Sequence, residues 1–239
     1  ITNSADNSTT QLNASTGAAM GTYNLSSYIT NPLGIAVDTA RNVFWITNNV
    51  ASDAYLVKIN ATNGSTIAEY NLGPGSVNNR YGVAVDKNGD IWTTRPANGN
   101  GAHAVKHNGT SGAILLDNVW IGGIPQGIAI DSHGDVWGVA RDSVGSIRKI
   151  NGTSGSLIVD NLNTDNPQIL PWHEAVAIDK DDNVWITNIN GGMNNVTKLN
   201  GTTNAAVRVI GTYATGVQPW GIAVDAKNNI WIANYGSNN

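Results

Sequence analysis

The stretch that decides the fold is Gly34-Ile35-Ala36-Val37-Asp38, because close copies of it return four times along the chain. Each copy is followed by a polar turn and then by an apolar step that carries a tryptophan. The aspartates that end the copies are spaced 48, 45, 48 and 46 residues apart: Asp38, Asp86, Asp131, Asp179 and Asp225. This period is typical of a propeller blade, a four-stranded sheet repeated around an axis.

A second signature follows the first four tryptophans by about fifteen residues. It reads Lys-x-Asn-x-Ser/Thr and begins at Lys58, Lys106, Lys149 and Lys198, and a fifth form begins at Gln11. The amino end therefore supplies the second half of a repeat, and the carboxyl end supplies the first half. We predict one five-bladed β-propeller domain over 1–239, with repeat units at 31–74, 79–120, 124–163, 172–212, and 218–239 plus 1–28. The last blade joins strands from both termini, which covers edge strands.

The local pattern predicts four strands in each repeat and almost no helix. Small and apolar residues alternate at period two in the inner strand, and the second strand reads Val-Phe-Trp-Ile-Thr in the first repeat. Asn, Gly, Ser and Thr fill the turns, and no long window has helical periodicity. The fold class is therefore all-β.

Composition excludes several classes of protein. The 239 residues are 13% charged with a net charge of −4, which argues against a nucleic-acid partner. There is no cysteine, so disulfide frameworks, thiolate metal sites and cysteine nucleophiles are excluded. No apolar run is long enough to predict a membrane span. The chain starts at Ile1 without a basic and apolar leader, so we expect a signal peptide to have been removed if the protein is secreted.

The repeats resemble those of the NHL-repeat and virginiamycin B lyase-like propellers. The residues that carry this resemblance are Asn31–Gly34, Gln218–Gly221 and the turn and strand Asp131–Trp137. The resemblance implies a β-propeller fold, which hosts lyases, lactonases, lectin-like binders and protein scaffolds. It also implies, for the lyase-like enzymes, a His and a Glu that act with a divalent ion. His173 and Glu174 have these residue types, but neighbours on a strand point to opposite faces.

The outer turns predict glycosylation. Each has Asn where such propellers commonly place Asp, and each reads Asn-x-Ser/Thr, the acceptor for N-linked glycans. Duplication of one ancestral turn is the alternative explanation. We predict a secreted glycoprotein modified at the outer turns and at four other acceptors: Asn13, Asn60, Asn108, Asn151 and Asn200, with Asn7, Asn24, Asn63 and Asn195.

Tryptophans and aspartates of the repeat have structural and functional interpretations. The five tryptophans suit packing between blades better than an aromatic ligand ring. The five aspartates suit turns better than a ring of cation ligands, and no histidine pair has zinc-site spacing. We therefore predict no metal and no cofactor, and we assign no catalytic residue.

A candidate ligand site lies where the repeats diverge, in loops before the inner strands and after the second strands. Its residues are Arg80, Tyr81, Arg95, Arg141, His173, Glu174 and Trp220. Arg95 and Arg141 would clamp an acidic sugar or a peptide carboxylate. A solvated rim without a ligand is the alternative.

These features favour a non-enzymatic propeller outside the cell or at its surface. It would bind protein or carbohydrate, and it would polymerise if its terminal strands paired with a neighbouring copy. The rival hypothesis is a metal-assisted lyase or lactonase. Only Glu69 and Glu174 are glutamates, so groups for acid–base chemistry are few.

Overall fold

The structure is a computed structural model that describes residues 1–13, 15–25, 29–48, 53–74, 82–97, 101–141, 145–161, 172–189, 192, 194–202 and 208–237. No α-helix occurs in these ranges, and the all-β prediction is confirmed. Nothing helical in the described ranges is long and apolar enough to cross a membrane.

Four complete antiparallel sheets form the middle of the chain. Blade 1 contains β4 to β7: Pro32–Asp38, Val43–Asn48, Asp53–Asn60 and Thr66–Pro74. Blade 2 contains β8 to β11: Val83–Val85, Ile91–Ala97, Gly101–His107 and Ile114–Gly122. Blade 3 contains β12 to β15: Ile124–Ile130, Val136–Arg141, Ile147–Ile150 and Leu157–Asn161. Blade 4 contains β16 to β19: His173–Ile178, Asn183–Asn188, Asn195–Asn200 and Arg208–Ala214.

Two smaller sheets lie at the ends. The amino-terminal sheet has three strands: β1, Thr2–Asn3; β2, Ser8–Leu12; and β3, Ala19–Asn24. The carboxyl-terminal sheet has two strands: β20, Pro219–Val224, and β21, Ile230–Asn234. These sheets flank the complete blades, since β1 contacts β4 of blade 1 and β20 contacts β16 and β17 of blade 4.

The same register recurs in each blade and brings distant repeat residues together. The tryptophan of the second strand lies opposite the lysine of the third strand, as in the pair Trp137 and Lys149. Because directly opposite residues of antiparallel strands share a face, the ammonium group of Lys149 lies 5.5 Å from the centre of the Trp137 ring. The period-two alternation seen in the sequence therefore places the aromatic residue beneath the cation.

The hydrophobic core lies between neighbouring blades. Trp137 and Val139 of blade 3 pack with Val176 and Val184 of blade 4, and all four side chains are buried. Trp92 of blade 2 packs in the same way on Ile128 of blade 3. Burial of large aromatic surface is the main stabilising contribution at such an interface. Blades 1 to 3 are thus each stabilised by the next blade along the chain.

The predicted closure into five blades is not confirmed, because the described residues form six sheets. The carboxyl-terminal strands and the amino-terminal strands form separate sheets in the described part of the chain. A physical reason lies at β2, where β1 already pairs with Thr9 and Ser8. In blade 4 the strand that corresponds to β2 is β18, and its equivalent edge pairs with the second strand of the blade, β17. The strand β21 cannot occupy that edge while β1 is there.

Candidate functional site

The predicted ligand residues are placed by the pairing of the first and second strands of each blade. Ile124 at the start of β12 pairs with Arg141 at the end of β13, and His173 at the start of β16 pairs with Asn188 at the end of β17. Because antiparallel neighbours run in opposite directions, the start of one strand and the end of the next meet at one edge of the blade. Arg141 and His173, at which the repeats differ in sequence, therefore lie at the same edge of blades 3 and 4.

Three predicted residues from different sheets come together at this edge. Arg141 Nε donates a hydrogen bond to Glu174 Oε1 at 2.5 Å, and the Arg141 NH2 group contacts the same oxygen. The guanidinium carbon of Arg141 lies 5.4 Å from the centre of the Trp220 ring. Guanidinium groups bind both carboxylates and aromatic faces, so Arg141 joins blades 3 and 4 and the carboxyl-terminal sheet.

Glu174 is the most chemically unusual group in this cluster. Its side chain is almost completely buried, and Oε2 accepts no hydrogen bond from the described residues. Burial raises the pKa of Glu174 above its usual value, and the neighbouring charge and hydrogen bond of Arg141 oppose that increase. A buried carboxylate with one unsatisfied oxygen favours a neutral or cationic donor nearby over an anionic ligand.

His173 serves a different network from that of Glu174. It is fully buried, and its Nδ1 lies 2.7 Å from Asn188 Oδ1. The Asn188 amide nitrogen donates to Asn195 Oδ1 and Thr197 Oγ1, so Asn188 Oδ1 acts as the acceptor and His173 Nδ1 carries the proton. The imidazole therefore ties the start of β16 to the end of β17.

An irregularity in β16 explains how two adjacent side chains are both buried. The register between β16 and β17 shifts between His173 and Val176. A shift of this kind inserts an extra residue and re-aims the side chains beside it. Equivalent shifts follow Pro32, Pro125 and Pro219 in other sheets. Simple alternation is therefore absent at the start of the inner strand in blades 1, 3 and 4 and in the carboxyl-terminal sheet.

Arg95 points to another part of the molecule. Its NH2 group lies 2.6 Å from Asp117 Oδ1 and 2.6 Å from Asn118 Oδ1, both on the outermost strand of blade 2. Arg141 instead contacts inner strands of later sheets. The two guanidinium groups that were predicted to clamp an acidic ligand each have a carboxylate partner in this structure. Arg80 and Tyr81 lie outside the described residues.

One neighbour of the cluster was missed by the sequence analysis. Tyr235 follows β21, is exposed, and its ring centre lies 5.7 Å from that of Trp220. Its backbone N–H donates to the carbonyl of Gln218, which places it beside the start of β20. The only sequence signal was its position directly after the second strand, the region where the other candidates were sought.

The repeat aspartates lie in turns. Asp131 Oδ1 accepts hydrogen bonds from the backbone of His133 and Asp135, and Asp179 Oδ1 accepts them from Asp181 and Asn183. Their second oxygens accept from the indole N–H groups of Trp137 and Trp185. Among the described residues, no group of three or more His, Cys, Asp or Glu side chains could hold a metal ion.

The outer turns share one geometry at the five of the nine predicted glycosylation positions that lie in them. In the turn after β14, Asn151 Oδ1 accepts hydrogen bonds from the backbone of Thr153 and Ser154. Equivalent bonds form at the other four turns: Asn13, Asn60, Asn108 and Asn200. The side-chain oxygen is used within the turn, and the nitrogen that would carry a glycan is not needed for it.

Comparisons with solved structures define the class of protein to which this fold belongs. No protein-family model and no curated protein matches the chain. A nidogen/laminin complex contains a chain that is 14% identical, with a TM-score of 0.70, and the match covers 97% of this chain and 83% of that one. Virginiamycin B lyase from Staphylococcus aureus is 22% identical, with a TM-score of 0.71 and coverages of 98% and 72%.

A third match is the PQQ-bound aldose sugar dehydrogenase from Streptomyces coelicolor, which is 14% identical with a TM-score of 0.69 and coverages of 99% and 84%. These structures are β-propellers, as the repeat resemblance predicted. They include binding proteins and enzymes, so the likeness defines the fold and leaves the function to the site itself.

Proposed function

We propose that this propeller is an extracellular, N-glycosylated interaction and structural module without catalytic activity, and that it self-assembles through its terminal sheets. The observation that carries the proposal is the shared geometry of the five outer turns. Each presents an Asn-x-Ser/Thr acceptor whose asparagine oxygen is engaged in the turn. Glycans on these turns would solvate a surface that has few charges.

Exposed apolar side chains support the self-assembly part of the proposal. Val37 of blade 1 and Trp231 of the carboxyl-terminal sheet are 61% and 65% exposed, whereas the residues at the same positions of complete blades, Val85 and Trp137, are half-buried and buried. Such surfaces and open strand edges promote pairing with another chain.

The chemistry of His173 and Glu174 favours binding over catalysis. The histidine holds Asn188, and the glutamate holds Arg141. An acid–base pair would need both groups within reach of one substrate, whereas each of these supports a separate contact in the fold. A metal-assisted lyase or lactonase stays the alternative. Loss of turnover in a Glu174→Gln variant of an active preparation would favour that alternative.

Peptide mapping of the native protein tests the glycosylation proposal. We expect glycans at Asn151 and the other outer turns, and an intact mass above 25.1 kDa. Asn195 is the internal control: it lies in β18, accepts a hydrogen bond from Asn188, and has its sequon threonine, Thr197, buried. A folded strand of this kind does not present the acceptor, so Asn195 should be unmodified, in contrast to the prediction made for it from the sequence alone.

A matched variant separates glycan loss from turn damage. Thr153→Ala removes the acceptor sequence while keeping Asn151 Oδ1 in the turn, because Thr153 contributes its backbone N–H to that bond. It should lower the native mass by one glycan with little change in stability. An unmodified mass for the whole native chain would contradict the proposal.

A further inference from the structure

Lys149 of blade 3 is a buried amine in contact with two carboxylates. Its Nζ atom lies 3.1 Å from Asp131 Oδ2 and 3.3 Å from Asp135 Oδ2. The side chains of Lys149 and Asp131 are 3% and 0% exposed. The Trp137 ring covers one side of the group, since its centre lies 5.5 Å from Lys149 Nζ. An amine, a carboxyl group and a second acid therefore meet in a site that is shielded from water.

Blade 2 has the same group of side chains. Lys106 Nζ lies 2.9 Å from Asp86 Oδ2 and 3.5 Å from Asp90 Oδ2. Lys106 and Asp86 are buried, and the ring of Trp92 lies beneath the ammonium group. A buried lysine with two carboxylate partners thus occurs at the same place in two neighbouring blades.

Blades 1 and 4 lack the second acid. The position four residues after the repeat aspartate is an acid in blades 2 and 3 and an amide in blades 1 and 4: Asp90 and Asp135, Asn42 and Asn183. In blade 4, Lys198 Nζ lies 3.5 Å from Asp179 Oδ2, and the lysine side chain is 22% exposed. In blade 1 the repeat aspartate, Asp38, forms an ion pair with Arg41. These two blades are therefore internal comparisons for blades 2 and 3.

The two oxygens of Asp131 have different surroundings. Oδ1 accepts hydrogen bonds from the backbone N–H groups of His133 and Asp135, at 3.1 and 2.9 Å. Two backbone donors on one oxygen stabilise the negative charge that develops when a nucleophile attacks a carbonyl carbon. Oδ2 is the oxygen in contact with Lys149 Nζ. The turn therefore holds the carboxyl group with one oxygen stabilised and the other beside the amine.

We propose that blades 2 and 3 are self-modification sites, in which the lysine and the repeat aspartate condense to an intramolecular amide bond. Lys149 joins Asp131 with Asp135 as the acid–base group, and Lys106 joins Asp86 with Asp90 in that role. Each bond links the inner turn of a blade to its third strand. It forms once and turns over no external substrate, and it depends on neither glycosylation nor assembly. It gives a chain without cysteine a covalent cross-link.

The reaction balances within three side chains. A proton moves from the Lys149 ammonium group to Asp131 Oδ2, which leaves a neutral amine beside a carboxylic acid. The amine lone pair then attacks Cγ of Asp131, and the carbonyl electrons move to Oδ1. Asp135 takes a second proton from the nitrogen and donates it to Oδ2, which leaves as water when the carbonyl forms again. The nitrogen keeps one hydrogen, and no other reactant is required.

Position and burial both favour the amide. Well-oriented reacting groups within one molecule reach effective concentrations of roughly 10⁵–10⁸ M. Lys149 Nζ is held by two carboxylates and by the carbonyl of Gly201 at 3.3 Å, so little reorientation precedes the attack. A closed site also keeps out the water that would hydrolyse the product. The folded blade therefore supplies what the separate side chains lack in solution.

Mass spectrometry of the unchanged chain tests the inference. The protein is folded, freed of any glycan and then denatured, and we expect its mass to be lower than that of the sequence by two water molecules, one for each bond. Trypsin cuts after Arg141 and Arg148, which separate Asp131 from Lys149 in the sequence. Digestion should therefore yield two joined pairs of peptides: Asp131 with Lys149, and Asp86 with Lys106. Lys198 of blade 4 should be recovered in an unlinked peptide.

Matched variants test the roles of the side chains. Asp135→Asn gives blade 3 the amide that blade 4 has at this position, where Asn183 donates to the repeat aspartate. It should fold, and it should form the blade 3 link about a hundredfold more slowly, since general acid–base catalysis is lost. The blade 2 link should be unaffected. Lys149→Arg should lose one link, whereas its control in blade 4, Lys198→Arg, should keep both.

Three results would overturn the inference. The first is a folded chain with the full mass of its sequence. The second is a loss of water that is reversed at mildly alkaline pH, because a cyclic imide at an aspartate hydrolyses there and an amide of lysine persists. The third is a link in Asp135→Asn that forms at the unchanged rate, which would show that the second acid takes no part.

Discussion

In blades 3 and 4, three residues that are far apart in the repeat form one local cluster. In blade 3, Lys149 Nζ lies 3.1 Å from Asp131 Oδ2, and the indole of Trp137 donates to the same carboxylate oxygen. Lys149 Nζ also donates to the carbonyl of Gly201 in blade 4. In blades 3 and 4 each group satisfies a polar atom of another, whereas the indole N–H groups of Trp45 and Trp92 have no hydrogen-bond partner among the described residues. The cluster links the turn, two strands and the next blade.

The pKa of Asp179 leads to a prediction about acid stability. Burial raises this pKa, but hydrogen bonds from Trp185, Asn183 and Asp181 outweigh it and lower the pKa from 3.8 to about 2. A pKa below the unfolded value stabilises the fold at higher pH, and this contribution is lost as the pH falls from about 4 to 2. Asp179→Asn should therefore flatten the pH dependence of the free energy of unfolding in that range.

Asp181→Asn is the matched control, because Asp181 belongs to the same turn but has an exposed side chain. Denaturant unfolding at a series of pH values measures the effect. An acid response in Asp179→Asn equal to that of the unchanged protein would show that the turn hydrogen bonds contribute no pH-dependent stability.

At the scale of elements, the structure is a series of sheets that stabilise each other through one repeated contact. The second strand of each complete blade holds its tryptophan beneath the third-strand lysine. In blades 1 to 3 that lysine also reaches the outer turn of the next blade. Lys58 and Lys106 donate to the carbonyls of Gly109 and Gly152 in this way. Neighbouring blades are thus joined by apolar packing and by a hydrogen bond at the outer turn.

A tryptophan should contribute much more to the free energy of unfolding in β13 than in β21. Trp137→Ala opens a cavity between blades 3 and 4 and should lower the free energy of unfolding by roughly 3–5 kcal/mol. Trp231→Ala removes an exposed side chain and should cost about 0.5 kcal/mol in a single copy. Denaturant titration of dilute protein compares the two. Equal losses would show that the burial of Trp137 is not what stabilises the interface.

At the scale of the molecule, stability should be unevenly distributed. Blades 2 and 3 have a hydrophobic core on both sides, whereas the amino-terminal and carboxyl-terminal sheets have three and two strands. Regions with fewer buried apolar contacts open at lower free energy. Association with another copy would therefore change the stability of the two terminal sheets most.

Hydrogen exchange measures this distribution directly. In dilute protein the amides of β21 should exchange at least tenfold faster than those of β13, which occupies the same position in a complete blade. In concentrated, assembled protein the protection of β21 should increase, and that of β13 should stay unchanged. Uniform amide protection along the chain in dilute protein would contradict the uneven distribution of stability.

Part of the candidate site followed from repeat register alone. Arg141, Glu174 and Trp220 come together because the starts of first strands and the ends of second strands share an edge, which alternation and antiparallel pairing already predict. The direction of Arg95 could not be predicted, since it depends on Asp117 and Asn118 of an outer strand. The burial of both His173 and Glu174 depends on a register shift that no sequence period contains.

The amino-acid sequence by itself determined the all-β class, the four complete blades and the turn residues, because these depend on local alternation and on a period repeated many times. Only the tertiary structure decided how the ends are arranged. In the part of the chain that the structure describes, the terminal strands form two separate sheets, because β1 holds the edge of β2 and the terminal sheets pack on different blades. The strands β1 and β21 have the same sequence pattern, so the pattern by itself cannot determine which of them pairs with the edge of β2.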